Sequence, residues 1–418
     1  MSAQLTEQAC PRCGRTITVD SRFVTWCEFC DWNIDPAGKE SPTRREVQAR
    51  RKGEALFAQL RQSPLTKPGR SAARVAAFAI ALAIHSLTIA ILGLGVYILV
   101  TNFGTFFGFV VGGFAILLGV LIRPRLGGIR SGTVLLPRDS APALYGLTDR
   151  IGGEMGARPI DVIALDSTFN AGHGQVGIRR ERVLWIGLPL WNVLDDEQRV
   201  ALLAHELAHQ VNGDLAFGLV VGAAMRTLGE WHELLRAGRW QPGGGSVFAF
   251  LEMLGQLLAR AIYRVLRAGI DVIFRIEEAL LFRSGQRAEY FADRLAAQIG
   301  STEALLACLD VLHLARACSL ALRFAARREA NDLWETERAF FRDFSPKEWE
   351  RLRRLDARRG TSVDSTHPPT NLRITLLQAA PPAPGRMKIS TDEAAAISNE
   401  IESGFRLVAE QMTSRFAS

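Results

Sequence analysis

Between Val75 and Ile122 the chain has no Asp, Glu, Lys or Arg. A stretch of that length without charge is excluded from an ordinary water-facing surface. Acidic opposition is also thin just upstream. In 41–74, Arg44, Arg45, Arg50, Arg51, Lys52, Arg61, Lys67, Arg70 and Arg74 meet only Glu46 and Glu54. Few aromatics accompany those basic residues, which weighs against a nucleic-acid partner. Cysteine is scarce, six in 418 residues, and four of the six fall in the first 30. Such a distribution excludes a disulfide framework along the chain. No apolar leader precedes the first cysteines, so no secretory signal peptide is expected.

Two of the seven histidines stand four residues apart, in Leu203-Ala204-His205-Glu206-Leu207-Ala208-His209. The surrounding run, Val200 to Val211, reads as helix. Residues four apart on a helix share a face, so His205 and His209 can present two imidazoles to one metal ion. Glu206 lies beside the first and can reach a water on that ion. Two ligands and a general base are the zinc-peptidase arrangement. The plain alternative is a buried amphipathic helix with two incidental histidines.

The remaining chain divides by composition. Residues 1–40 carry Cys10-Pro11-Arg12-Cys13 and Cys27-Glu28-Phe29-Cys30, a spacing that suits one zinc held by four thiolates in a ribbon. So small a unit has too little core to fold without metal. Two disulfides or a redox motif are the other readings, and disulfides need an oxidising compartment. Residues 41–74 read as a basic linker, a solvated helix and tether beside anionic lipid. Val75–Val100 and Phe103–Ile122 read as a transmembrane hairpin within 75–122. Basic residues flank both outer ends and none sits in the turn, so both ends are expected in the cytoplasm. His85, inside the first span, reads as a helix–helix contact.

A mixed region begins near Gly132. Asp139–Met155 reads as helix with Pro142 in its first turn, Pro159–Leu165 and Arg182–Leu188 as strands, and Phe169–Ile178 as a less regular strand. Asp195 and Gln198 form a capping box for the helix that follows. A small sheet followed by a metal-bearing helix can take an extended peptide on its edge strand. Leu215–Met225 is apolar but short. Val247–Phe282 carries Glu252, Arg260, Arg264, Arg267, Asp271 and Arg275, and reads as an amphipathic helix at the membrane surface or over the active site, after a Gly243-Gly244-Gly245 joint. A further spanning helix there is the alternative. Residues 302–357 read as helices with solvated faces, with Cys308 and Cys318 as reduced core residues. Pro381-Pro382-Ala383-Pro384-Gly385 reads as a linker, and Ser390 with Glu393 caps a last helix running to about Met412.

These motifs resemble, in order, those of the HtpX-like membrane metallopeptidases, relatives of the CAAX prenyl endopeptidases. The resemblance rests on Phe169-Asn170-Ala171, Val183-Leu184-Trp185-Ile186-Gly187-Leu188, Asp195-Asp196-Glu197, the His205–His209 pattern and Asp214. It also rests on Ala288-Glu289-Tyr290-Phe291-Ala292-Asp293 and on Thr366-His367-Pro368-Pro369-Thr370-Asn371-Leu372-Arg373-Ile374. Two departures stand out. Asn170-Ala171 continues as Gly172-His173-Gly174 where the family often has Phe-Ala-Thr-Gly, and Ala208 replaces a glycine. The resemblance implies Glu289 as third zinc ligand, Glu206 as base and His367 as a donor to the oxyanion. It implies Asp293 as a support for a ligand histidine, Arg373 as a support for His367, and Asn170 and Ala171 as substrate-binding positions. Asp214, Glu277, Glu278 and Asp293 compete with Glu289 as ligand. Asp214 lies off the ligand face, Glu277 and Glu278 read as surface pairs of Arg275 and Arg283, and Asp293 has the shorter side chain.

The fold class that follows is mainly α with a small β-sheet, an α+β zincin-like catalytic domain, joined to a two-helix transmembrane hairpin and an N-terminal zinc ribbon. The catalytic domain spans 130–380 with a helical insert at about 215–285, and 386–418 form a C-terminal helix. The expected cofactors are two Zn2+, one catalytic and one structural. The expected partners are protein or peptide substrates, membrane proteins among them, and the lipid bilayer. An inactive membrane scaffold, and a regulatory or nucleic-acid binder working through the ribbon, are the two competing classes.

Overall fold

The computed structural model describes residues 5–38, 44–62, 71–124, 127–129, 132–211, 214–235, 249–328, 332–360 and 367–417. Lys67, Arg70, Gly243-Gly244-Gly245 and Thr366 lie outside the described residues. The fold is the expected one: mainly helical, with two small sheets among the described residues.

The cysteine-bearing unit opens with an antiparallel pair, β1 (Leu5–Ala9) and β2 (Thr16–Asp20). Its core is small: Ile17, Trp26, Cys27 and Ile34 are the buried centre. Next comes helix α1 (Arg44–Gln62). The solvated tether expected here is corrected by its packing. Leu56 and Leu60 are buried against Tyr290 and Leu376, so α1 is docked to the body through an apolar stripe.

Helices α2 (Ala72–Thr101) and α3 (Phe106–Leu121) form an antiparallel hairpin. Gly95 and Gly112 make their close approach possible. A Cβ on Gly95 would lie 2.8 Å from the Ile116 amide nitrogen and 3.0 Å from the Gly112 carbonyl. Small residues at such crossings are how helices pack when lipid supplies no hydrophobic drive between them. The outer face of the hairpin is apolar and exposed, with Phe106, Phe107, Phe114 and Val100 among its residues.

The four-stranded sheet is built from β3 (Val134–Leu136), β4 (Val162–Asp166), β5 (Ala171–Val176) and β6 (Glu181–Gly187). Helix α4 (Pro142–Met155) joins β3 to β4. The strand order is β3-β4-β6-β5, so β5 lies at an edge, paired only with β6 in antiparallel register. Strand β3 is an addition to the expected elements; three residues are too few to show alternation. A short α5 (Leu188–Val193) leads into α6 (Asp196–Val211). The capping box is present: Asp195 Oδ1 accepts from the Gln198 amide at 2.8 Å, and Gln198 Oε1 accepts from the Asp195 amide at 3.2 Å.

Helix α7 (Asp214–Leu234) packs on α2 and lies against β5. His85 Nε2 lies 3.1 Å from the Val220 carbonyl, a contact between α2 and α7. Helix α8 (Ala249–Gly300) is one element of 52 residues. The sequence divides it into an insert helix and a separate segment opening at Ala288; the structure joins them. Ile270, Ile273 and Phe274 of α8 pack with Ala81, Ile84, Val221 and Leu228. Leu258, Val265 and Val272, seven residues apart, are exposed on its outer side. The exposed position expected of Glu277 is corrected: its side chain is fully buried, and among the described residues neither carboxylate oxygen has a hydrogen-bond partner. At the other end, Gly300 presses on α6, where a Cβ would lie 2.8 Å from Ala201 N and Cα.

Helices α9 (Thr302–Val311), α10 (Ala315–Arg327), α11 (Leu333–Arg342), α12 (Pro346–Arg359), α13 (Thr370–Gln378) and α14 (Thr391–Ala417) complete the body. Among the described residues two segments are long and apolar enough to cross a membrane, Ala72–Thr101 and Thr302–Arg327. The second is interrupted by a 3-10 turn at Leu312–Leu314, and its Leu305, Cys308, Cys318 and Leu322 share the core of α6. Ser390 caps α14 by accepting from the Glu393 amide, and the helix runs past the expected Met412.

The cysteine unit is clamped to α12. Arg351 donates to the Ile34 carbonyl at 2.6 Å while paired with Glu348 at 2.6 Å, and both side chains are buried. Arg354 donates to the Glu28 carbonyl at 2.6 Å and Lys347 to the Thr18 carbonyl at 2.7 Å. Phe23 meets Phe344 edge-on with centroids 5.1 Å apart. Removing one partner of a buried pair strands the other charge, at a cost of about 3 kcal/mol. Arg351→Ala is therefore expected to raise the rate of limited proteolysis between the cysteine unit and α12 by roughly a hundredfold. Arg342→Ala, in an exposed pair with Glu335, is expected to leave that rate unchanged.

Candidate metal centre

Helix α6 places His205 and His209 on one face, with ring centroids 5.0 Å apart and planes at 90°. Helix α8 brings Glu289 to that face. The approach is close because the neighbouring α8 residues Ala292, Ala296 and Ala297 are small and buried. His205 Nε2 is 3.5 Å from Glu289 Oε2, and His209 Nε2 is 3.6 Å from Glu289 Oε1. His367, three residues before α13, brings its Nε2 to 3.4 Å from Glu289 Oε2.

These separations are long for hydrogen bonds, and among the described residues Glu289 Oε2 is buried with no hydrogen-bond partner. They fit a shared cation instead. Two atoms each about 2.0–2.1 Å from a tetrahedral zinc lie roughly 3.4 Å apart. The ligand atoms of His205, Glu289 and His367 all fall within 4.8 Å of one another. His209, 3.6 Å from the other Glu289 oxygen, stands outside that group, and His367, expected as an oxyanion donor, stands within it.

A further layer fixes the geometry. Asp293, one turn after Glu289, places Oδ1 3.0 Å from His205 Nδ1. Arg373 grips the same carboxylate twice, Nε to Oδ2 at 2.8 Å and Nη2 to Oδ1 at 2.6 Å. With Nδ1 committed to Asp293, Nε2 of His205 is left to face Glu289. The electrostatics agree. Burial and the Arg373 charge push the His205 pKa down, but the carboxylates of Asp293 and Glu289 outweigh them and hold it up to about 10. Burial raises Glu289, yet His209, His367 and His205 bring it down to about 2. Against its own burial, Asp293 is held well below the usual carboxylate range by Arg373 and His205. Two ionised carboxylates in a dry pocket are a donor set that favours a positive ion.

Glu206 is buried and lines a small cleft together with His205, His367 and Arg373. The other walls are Asn170, Leu190, Leu202, Leu305, Cys308, Leu309 and Leu312. Ala171 opens edge strand β5 with its side chain in the core, so only its backbone is available to a ligand. Sequence patterning missed the apolar wall from α9. Its leucines read as core, and nothing in their spacing distinguishes a core face from a cleft face. Cys308 belongs to that wall, and burial pushes its thiol up to about 12.

The second cluster is Cys10, Cys13, Cys27 and Cys30, all free thiols. Cys10 Sγ and Cys30 Sγ are 3.7 Å apart, Cys13 Sγ and Cys27 Sγ 3.6 Å. A disulfide would need about 2.05 Å. Two sulfurs each about 2.3 Å from a tetrahedral zinc lie roughly 3.8 Å apart. The cluster therefore fits a zinc ribbon.

Residues 157–380 match the model of Peptidase family M48. The chain is also 32% identical over 120 residues to Protease HtpX homolog 1 of Saccharolobus solfataricus. That alignment covers 28% of this chain and 37% of the relative, so the chain spans little over a third of the curated relative's length. No solved structure matches the chain.

The Asp293 contact yields a direct test. Asp293→Asn keeps the volume and removes the charge that holds His205 Nδ1–H. Loss of such a supporting acid weakens metal affinity by about 10–100-fold. Zinc at the core site, titrated against a chelator after the ribbon zinc has been accounted for, is expected to weaken by that factor.

Proposed function

The chain belongs to Peptidase family M48, and on that footing we propose that it is a membrane-anchored zinc endopeptidase. The observation that carries the proposal is the approach of His205 Nε2 and His209 Nε2 to the two oxygens of the buried Glu289 carboxylate, one of which has no hydrogen-bond partner among the described residues. Those three residues are the proposed ligands of one catalytic zinc, and Cys10, Cys13, Cys27 and Cys30 of one structural zinc. Zinc bound in the core would supply a Lewis acid that lowers the pKa of water and polarises the peptide carbonyl.

The chain's own residues do the rest. Glu206, in the cleft wall, takes the proton of the attacking water and returns it to the leaving amine. His367 donates to the oxygen on which negative charge develops. Asp293 keeps the His205 ring in one orientation, and Arg373 holds Asp293. Asn170 and Ala171 offer edge-strand backbone to an extended peptide.

Proteins or peptides are the substrates, and the apolar wall from α9 favours an apolar residue next to the scissile bond. The hairpin within 75–122 anchors the enzyme, with both ends and the catalytic domain at 130–380 on the cytoplasmic side, as the flanking basic residues imply. The exposed apolar stripe of α8 and its packing on α2 support membrane contact for the insert as well. A place in membrane-protein quality control is argued by family analogy alone. The inactive-scaffold reading has an intact Glu206 against it, and few aromatics accompany the basic segment that a nucleic-acid partner would need. One observation favours a second ligand set: His367 Nε2 is as close to Glu289 Oε2 as His205 Nε2 is. In that set His367 would replace His209.

Glu206→Gln separates binding from chemistry. It is expected to keep the core zinc and to lower hydrolysis of casein or a membrane-protein substrate by about 10²–10⁴-fold. Activity within a few-fold of wild type would contradict the assignment of the base. Run in parallel, His209→Ala is expected to lose the core zinc and His367→Ala to keep it; the reverse result selects the second set.

A further inference from the structure

Three side chains beside α6 bury polar atoms that have no hydrogen-bond partner among the described residues. They are both ring nitrogens of His173, Oε1 of Gln175, and both amide atoms of Gln210. Folded proteins leave few such groups, and each asks for a missing partner. None of the three is a ligand or a general base in the scheme above.

Their placement is specific. In the β5–β6 register Ala171 lies opposite Ile186, His173 opposite Leu184 and Gln175 opposite Arg182. Ala171, Leu184 and Ile186 belong to the core beneath α6, whereas Val176 and Val183 belong to the cluster on the other face. Side chains alternate along a strand, so His173 and Gln175 share the helix-facing side. Gln210 follows His209 on α6, which packs against β5. Burial is the main influence on His173, with the charges of His209 and Arg182 adding to it; together they push its pKa down to about 3. A neutral imidazole offers one donor and one acceptor, and each carboxamide offers both. No charged atom belongs to the set, and Arg182 is engaged with Asp161 at 2.6 Å.

A ligand for such a set must both donate and accept without carrying charge. An extended peptide added antiparallel to β5 would supply one. Asn170 lines the cleft that holds Glu206, and β5 runs on from there to His173 and Gln175. A strand pairing antiparallel with β5 runs the other way. Its residues opposite His173 and Gln175 therefore precede the bond held at the cleft. We propose that His173, Gln175 and Gln210 form a specificity subsite for an uncharged polar side chain, a carboxamide or a hydroxyl, upstream of the scissile bond. The proposal rests on the peptidase reading and adds a substrate preference to it.

Two measurements test it together. The first is cleavage of a randomised peptide library by the zinc-loaded full chain, with products sequenced by mass spectrometry. The second is binding of fluorescent decapeptides to Glu206→Gln protein, with Gln exchanged for Met of similar size at each position in turn. The expected result is about a tenfold preference for Gln over Met at one upstream position. In His173→Leu and in Gln175→Leu, each checked for an unchanged melting curve, the preference should fall to within twofold. Cleavage without an upstream polar preference, or a preference that survives both substitutions, overturns the subsite and leaves the peptidase reading standing. A His173-dependent binding preference with no cleavage by wild type supports the subsite and removes the peptidase reading. Binding with no Gln-over-Met preference at any position overturns the subsite whatever the cleavage result.

Discussion

The buried pair of Asp293 and Arg373 is the constraint on which the centre depends. Both side chains are nearly inaccessible, and they meet through two hydrogen bonds of 2.6 and 2.8 Å. Either charge alone in that interior would cost several kcal/mol. Together they fix α13 against α8, and the carboxylate has an edge left over for His205 Nδ1. The orientation of the His205 ring, and with it the direction of Nε2, follows. Glu289 is one turn away on the same helix, so the pair that locks one ligand also sets the position of another.

Much of this was legible in the sequence, for identifiable reasons. The His205–Glu206–His209 spacing is a helical period written in chemically distinctive residues. The cysteine knuckles are short-range, so their geometry survives any ignorance of the fold. Asp293 could be placed near a histidine because it is four residues from Glu289. The charge-free run 75–122 announced the apolar hairpin by composition alone. What failed was packing at long range. The tether at 41–74 contains a docked helix because Leu56 and Leu60 find Tyr290 and Leu376, residues more than 200 positions away. Glu277 looked like a surface acid because its neighbours in sequence are arginines. The fold buries it instead. Strand β3 was too short to show a period. His173 read only as a departure from the family's edge-strand pattern. Its consequence depends on which face of β5 it occupies, and register supplies that.

The cysteine unit is joined to the same frame. Arg351, Arg354 and Lys347 tie it to α12, and α12 packs on α13, which carries Arg373. His313 in the 3-10 turn after α9 lies 2.6 Å from Asp356 of α12. A chain of packed elements therefore runs from the four thiols to the Arg373–Asp293 pair. On the other side, the α8 helix that presents Glu289 extends roughly 78 Å at 1.5 Å per residue and reaches the apolar helices α2 and α7. One helix thus joins the candidate centre to the segment with the strongest membrane character.

The claim that Glu289 and the two α6 histidines share one zinc is tested most directly by anomalous scattering at the zinc edge from crystals of the full chain. The account predicts a peak about 2.0–2.2 Å from His205 Nε2, His209 Nε2 and a Glu289 oxygen, and a separate peak among the four thiolates. A core peak bound by a different acid, or no core peak in protein whose ribbon is loaded, would contradict it.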